Sequence, residues 1–195
     1  MKRTLLATSA ALFCLTFASP TAAHAQAHFG ISAGASIPES RFGEAASTGY
    51  NVNAMINVAV PLSPLGFRAE AGLNHFDFDG SNTSGSVRMI NGSANVILTP
   101  STIMGAKPYL IGGLGMYNVK TSVSPSNTTP LGGIFSGAAP GSESSDTRLG
   151  FNGGIGLTFG LGTIGTMLEA RYVTVNGKNG SGSLAFVPVT FGVTF

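Results

Sequence analysis

The stretch YNVNAMINVAV, Tyr50–Val60, decides the fold. Tyr50, Val52, Ala54, Ile56, Val58 and Val60 alternate with Asn51, Asn53, Met55, Asn57 and Ala59. Side chains on a β-strand point to opposite faces in turn, so this alternation gives one apolar face and one amide-rich face. A face turned to bulk water normally carries lysine and glutamate. Asparagine in their place suits an enclosed interior, and the apolar stripe then faces lipid.

Working outward, the same pattern recurs at turn-separated intervals. It is read over His28 to Ser36, Thr48 to Val60, Phe67 to Phe78, Val87 to Leu98, Lys107 to Val119, Arg148 to Phe159, Thr166 to Val175 and Leu184 to Phe195. In the fifth segment both faces carry large apolar groups, with Tyr109, Ile111 and Tyr117 opposite Leu110, Leu114 and Met116. Its inward face stays open. The connections Pro61 to Gly66, Thr99 to Ala106 and Gly160 to Gly165 are tight and rich in Pro or Gly. Ile37 to Ser47 and Lys120 to Ser145 are longer, and the latter reads as a mobile surface loop. Asp79 to Ser86 and Asn176 to Ser183 are short and polar.

A sheet survives in lipid only when it closes on itself, because no water satisfies its edge amides. Tilted strands of about 9–11 residues cross the apolar layer. The expected fold is therefore all-β: a closed antiparallel up-and-down transmembrane β-barrel of eight strands. Short turns then belong on the periplasmic side and longer loops outside, with both mature termini in the periplasm. Tyr50, Phe67, Tyr109, Tyr117, Phe159 and Tyr172 are expected in the interfacial girdles. A soluble lipocalin-like barrel is the alternative fold.

Composition agrees. Charged residues make up 9% of the chain, far below the roughly 25% of soluble domains, and 28 residues are glycine. The formal charge of +2 comes from Lys2 and Arg3. The remainder is neutral and offers no electrostatic footprint for nucleic acid. Lys2 and Arg3 precede an apolar run from Leu5 to Ala18, and Ala23 and Ala25 form an A-x-A pattern. Residues 1–25 thus read as a signal peptide removed after Ala25, leaving 26–195 as the barrel. The single cysteine, Cys14, lies within that signal. Cleavage would leave no thiol for a disulfide, metal or nucleophile.

Two charge pairs sit on strand faces: Arg68 with Glu70, and Glu169 with Arg171. Inside a narrow barrel these four form a structural cluster, since a buried charge needs a partner. Glu169→Leu is accordingly expected to weaken folding more than Ser126→Ala. Met55, Asn57 and Asn95 share that interior with them.

The chain resembles the outer-membrane protein β-barrel domain family, including the small OmpA/OmpX-like and opacity-like eight-stranded barrels. The matching stretches are KPYLIGGLGMY (Lys107–Tyr117), LGFNGGIGLTFG (Leu149–Gly160), LEARY (Leu168–Tyr172) and FVPVTFGVTF (Phe186–Phe195). The resemblance implies outer-membrane location and contact with outer-membrane lipids. It also implies that Phe195 is the terminal signal read by the barrel-assembly machinery. It implies no single activity.

Candidate chemistry is thin. GLGTIG (Gly160–Gly165) matches G-x-G-x-x-G, but a strand pattern follows where a dinucleotide site needs a helix. His75 lies near Asp77 and Asp79, as a metal or base site would require, but also as any polar strand end does. No catalytic, cofactor or metal residue is assigned. Eight strands leave a lumen that side chains just fill. The expected role is a non-enzymatic barrel serving envelope structure or surface contacts, with a ligand reaching the 120–145 loop. A narrow solute channel or carrier is the alternative, and a lipid-modifying enzyme the less favoured one.

Overall fold

The structure, a computed structural model, describes residues 27–44, 46–80, 83–100, 105–123, 143–161, 164–177 and 182–195. Eight strands pair antiparallel in chain order, and the last returns to the first to close a barrel. They are β1 (Ala27–Glu39), β2 (Gly49–Ala59), β3 (Leu65–Gly80), β4 (Thr83–Leu98), β5 (Ala106–Val123), β6 (Glu143–Leu161), β7 (Ile164–Val175) and β8 (Leu184–Thr194). A single helical turn, α1 (Ser40–Gly43), follows β1. Closure runs from Gly30 opposite Thr194 to Glu39 opposite Ala185. Beyond it, Phe29 and Phe195 exchange two backbone hydrogen bonds of 3.0 and 2.8 Å.

The eight sequence segments coincide with the eight strands; β3, β6 and β7 each run two residues further at the turn end, into the expected Pro61–Gly66 and Gly160–Gly165 connections, and the larger differences lie at the other end. β5 continues to Val123 and β6 begins at Glu143, so part of the expected 120–145 loop is sheet. β3 and β4 pair as far as Gly80 and Thr83, which turns the expected Asp79–Ser86 connection into a tight hairpin. The backbone ladder carries on through both segments. The expected signal peptide, 1–25, and residues 124–142 of the expected loop lie outside the described residues.

The alternating apolar stripe faces outward. Phe29, Ile31, Val52, Phe67, Ile90, Leu114, Phe151, Ile155 and Phe191 are each 50–64% exposed, while Asn51, Asn53, Asn91, Asn95 and Asn152 are 1–8% exposed. A water-soluble barrel has the opposite arrangement. For β5 the structure settles the open face: Leu110, Leu114 and Met116 point out, and Tyr109, Ile111 and Tyr117 point in. Tyr109 and Tyr117 are therefore not girdle residues, contrary to the sequence reading. Inward glycines explain their place. A Cβ on Gly156 would collide with the Tyr109 ring, and one on Gly150 would lie 2.7 Å from the Tyr117 ring. Tyr50, Phe67, Phe159 and Tyr172 do face outward.

The two ends of the barrel differ. The chain enters and leaves at the end that holds the β2–β3, β4–β5 and β6–β7 turns; this is the turn end. At the other, the loop end, the sense of the alternation reverses. On β3, Phe67 and Ala69 point out, but beyond Asn74 it is Phe76 and Phe78 that are buried and Asp77 that is exposed. β4 switches between Ile90, exposed, and Met89 and Val87, buried. β5 switches after Met116, β7 after Tyr172 and β8 before Val187. Beyond this level the exterior is polar and the interior mainly apolar, as in a barrel surrounded by water. β3 and β4 have 16 residues, β5 18 and β6 19, longer than the apolar layer requires.

Candidate functional site

The lumen holds two layers, and the lower is a ring of alternating charge. Arg68 on β3 donates from Nη1 to Glu169 Oε2 on β7 at 2.7 Å. Arg171 donates from Nη2 to Glu70 Oε1 at 2.6 Å and lies 2.8 Å from Glu169 Oε1 through Nε. The last contact is ion-pair proximity without hydrogen-bond alignment, since Glu169 Oε1 has no hydrogen-bond partner. Arg68 and Glu70 approach only to 4.0 Å. All four residues are 1–6% exposed. The structure thus brings together the four charges singled out in the sequence. Each strand supplies one of each sign at i and i+2, and the barrel wall turns β3 to face β7.

Further groups fix the ring. Arg68 Nε donates to Asn57 at 2.6 Å, and the Tyr109 hydroxyl donates to Glu169 Oε2 at 2.6 Å. The Arg68 guanidinium also lies 5.6 Å from the centre of the Tyr109 ring. Sequence reading missed Tyr109; its signal was the inward glycine at Gly156, opposite it in the partner strand. Alongside runs an amide network. Asn51 donates to Ser36, Asn53 to Asn51, Ser36 to Asn74, Asn74 to Asn91, and Asn152 to Asn95, at 2.8–3.2 Å. A low-dielectric space makes each such bond consequential, and an unpaired group there is costly.

The upper layer is mainly apolar, with Arg148 and Asp146 of β6 also turned inward, 3.3 Å apart, opposite Tyr117 and Val119. Phe42 of α1 enters the loop end, 1% exposed, with its ring 4.9 Å from Phe76 and 6.4 Å from Phe78 in edge-to-face contact. Phe76 meets Phe186 at 5.4 Å, and Val87, Met89, Val175 and Leu184, each without exposed surface, pack in the same cluster. Below the charged ring a vestibule of about 410 Å³ opens at the turn end, lined by His28, Asn57, Arg68, Lys107 and Tyr109 among others. It stops at Arg68 and Tyr109, each 4% exposed.

The remaining candidates lie elsewhere. His75 faces outward near the loop end, its Nε2 3.2 Å from Asp77 Oδ1 and its ring 5.2 Å from that of Tyr50. The Asp79 side chain is outside the described set. Among the described residues no group of three metal-ligating side chains gathers. Gly160 pairs with Gly165 in a β-hairpin, so the glycine motif leads into β7 rather than a helix. Phe195 projects outward at 63% exposure beside the β1–β8 seam.

The sequence of this barrel, apolar outside with a charged ring within, matches one family over residues 8–195, the outer membrane protein beta-barrel domain. The chain belongs to that family. Its members place it in the bacterial outer membrane. Among solved structures this outer-membrane barrel is similar to the Neisserial surface protein A, with a TM-score of 0.62 and 16% identity over 86% of this chain and 95% of that one. It is also similar to Ail, the attachment invasion locus protein of Yersinia pestis, with a TM-score of 0.53 and 13% identity over 87% and 97%. A major outer membrane protein from Thermus thermophilus gives 0.53 and 12% over 87% and 99%. At such identities the likeness is one of fold. No curated protein matches the chain by sequence.

Proposed function

We propose that this barrel is a non-conducting, non-enzymatic outer-membrane protein that braces the envelope and presents its loop end to the exterior. The observation that carries this reading is the filled lumen. A solute would have to displace the Arg68–Glu169–Arg171–Glu70 ring and then the Phe42–Phe76–Phe186 cluster above it. Mature protein would begin after Ala25, with both termini in the periplasm beside the tight turns. The longer strands and α1 at the loop end support that orientation, as does the general pattern of short periplasmic turns. Outer-membrane lipids would surround it. Phe195 would guide the barrel-assembly machinery during insertion, and the 120–145 connection would meet any surface ligand.

The test is electrical. Purified protein in planar bilayers is expected to remain silent up to the voltages at which the bilayer itself fails. Reproducible unitary openings that vanish on omitting the protein would overturn the reading in favour of a channel.

A further inference from the structure

The outward face at the loop end carries a line of basic groups that the lumen does not explain. Cross-strand register sets His75 of β3 opposite Arg88 of β4, and Arg88 opposite Lys120 of β5. Directly opposed side chains start about 5 Å apart. Arg88 and Lys120 are exposed, and neither makes a hydrogen bond or ion pair among the described side chains. His75 already holds Asp77, the next outward residue on its strand. Like charges directly across a ladder are unfavourable, so Arg88 beside Lys120 is a strained pair unless an anion lies between them.

The level of this row identifies the anion. Immediately toward the turn end, the outward positions are Leu73 and Ile90, with Asn118 opposite Ile90 on β5 and Met116 the next outward step beyond it; Arg88 and Lys120 begin where the lumen turns mainly apolar. That reversal marks the edge of the apolar layer, where headgroups sit. Tyr50 stacks against His75 at the same level, as interfacial aromatics do. We propose that Arg88 and Lys120, flanked by His75, form a binding site for the anionic phosphate of a lipid headgroup. The site deepens the proposed function by naming a lipid class that the barrel holds, and it rests on the outward face being lipid-exposed.

The test is lipid retention by the full-length mature protein. Nanodiscs of phosphatidylcholine with one-fifth phosphatidic acid are compared with pure phosphatidylcholine, and bound lipid is counted by native mass spectrometry after detergent extraction. Wild type is expected to retain phosphatidic acid, and Arg88→Gln/Lys120→Gln to lose about tenfold or more in apparent affinity, following from the attraction of each basic side chain to an anionic surface. Arg41→Gln/Lys107→Gln removes the same charge away from the row and should change retention less than twofold. Arg88→Lys/Lys120→Arg should retain the lipid, and heat-dependent gel migration verifies that each variant has folded. Equal losses in the two glutamine variants, or no loss in either, would overturn the proposal. So would displacement of phosphatidic acid by inorganic phosphate at equal concentration, which would make free phosphate the ligand. Both leaflets of the nanodisc carry the lipid, so the outcome is independent of orientation. Orientation fails separately, if a cysteine placed at Asn176 is not labelled on intact cells.

Discussion

Truncating Glu169 leaves two guanidinium groups in a dry space with a single carboxylate between them. Arg68 and Arg171 both touch it, and the Tyr109 hydroxyl donates to it. Breaking one side of a buried pair costs about 3–5 kcal/mol, because the stranded charge keeps its desolvation penalty. Glu169→Leu is expected to lower the unfolding free energy from urea titration in detergent by that amount, with a lower midpoint, and Glu169→Gln by less. An unchanged midpoint for Glu169→Leu would show that water reaches the ring. That Arg68 shares a face with Glu70 was legible from i, i+2 spacing. That Arg68 binds Glu169, 101 residues away, was not, because the partner depends on which strands the closed wall sets face to face. The two tyrosines were misplaced for a related reason. Both faces of β5 are apolar, and only the bare inward glycines of β6 decide where an aromatic ring fits. A separate residue effect sits in the β2–β3 turn. Leu62 is fully exposed at φ 58°, a left-handed conformation that costs a branched side chain roughly 1–2 kcal/mol. Leu62→Asn should therefore raise the urea midpoint by about 1 kcal/mol equivalent; a fall would mean the leucine has a packing role.

At the scale of elements, strand existence followed from period two, whereas strand length did not. The alternation reverses sense at Asn74–His75, at Met89–Ile90 and after Tyr172, and a reversal read without its surroundings marks a strand end. It marks instead a change of solvent along one continuous strand. Helix α1 was hidden by its size, since four residues have no periodicity to detect. Its contribution comes from Phe42, which closes the loop end by packing on Phe76 and Phe78, while the Ala46 amide bonds to the Phe42 carbonyl at 3.0 Å. Phe42→Ala is expected to cost about 3–5 kcal/mol, the range for a fully buried aromatic. Hydrogen exchange should rise in the outer thirds of β3, β4 and β8 and stay low around the charged ring. Uniform loss of protection along these strands would mean that the two layers unfold as one unit.

For the whole molecule, the decisive quantity is the direction of the stripes, because the same eight strands could close around either face. Val52 is 50% and Val189 38% exposed, whereas Asn51 and Asn53 are 1% and 5% exposed. The Asn-lined side already has its hydrogen bonds inside the wall, to Ser36, Ser32 and the Ala35 carbonyl. Reversing the barrel would expose those groups to hydrocarbon and bury the aromatic stripe in a lumen too narrow for it. Spin labels at Val52 and Val189 in reconstituted protein should accordingly be relaxed strongly by dissolved oxygen and weakly by a water-soluble nickel chelate. Labels that replace Asn51 or Asn53, where folding survives them, should be shielded from both. A label at Lys120, beyond the point of reversal, should respond to the chelate instead. Oxygen-dominated relaxation at Lys120 equal to that at Val52 would place the apolar layer over the whole strand, and the two-solvent account of the long strands would fail.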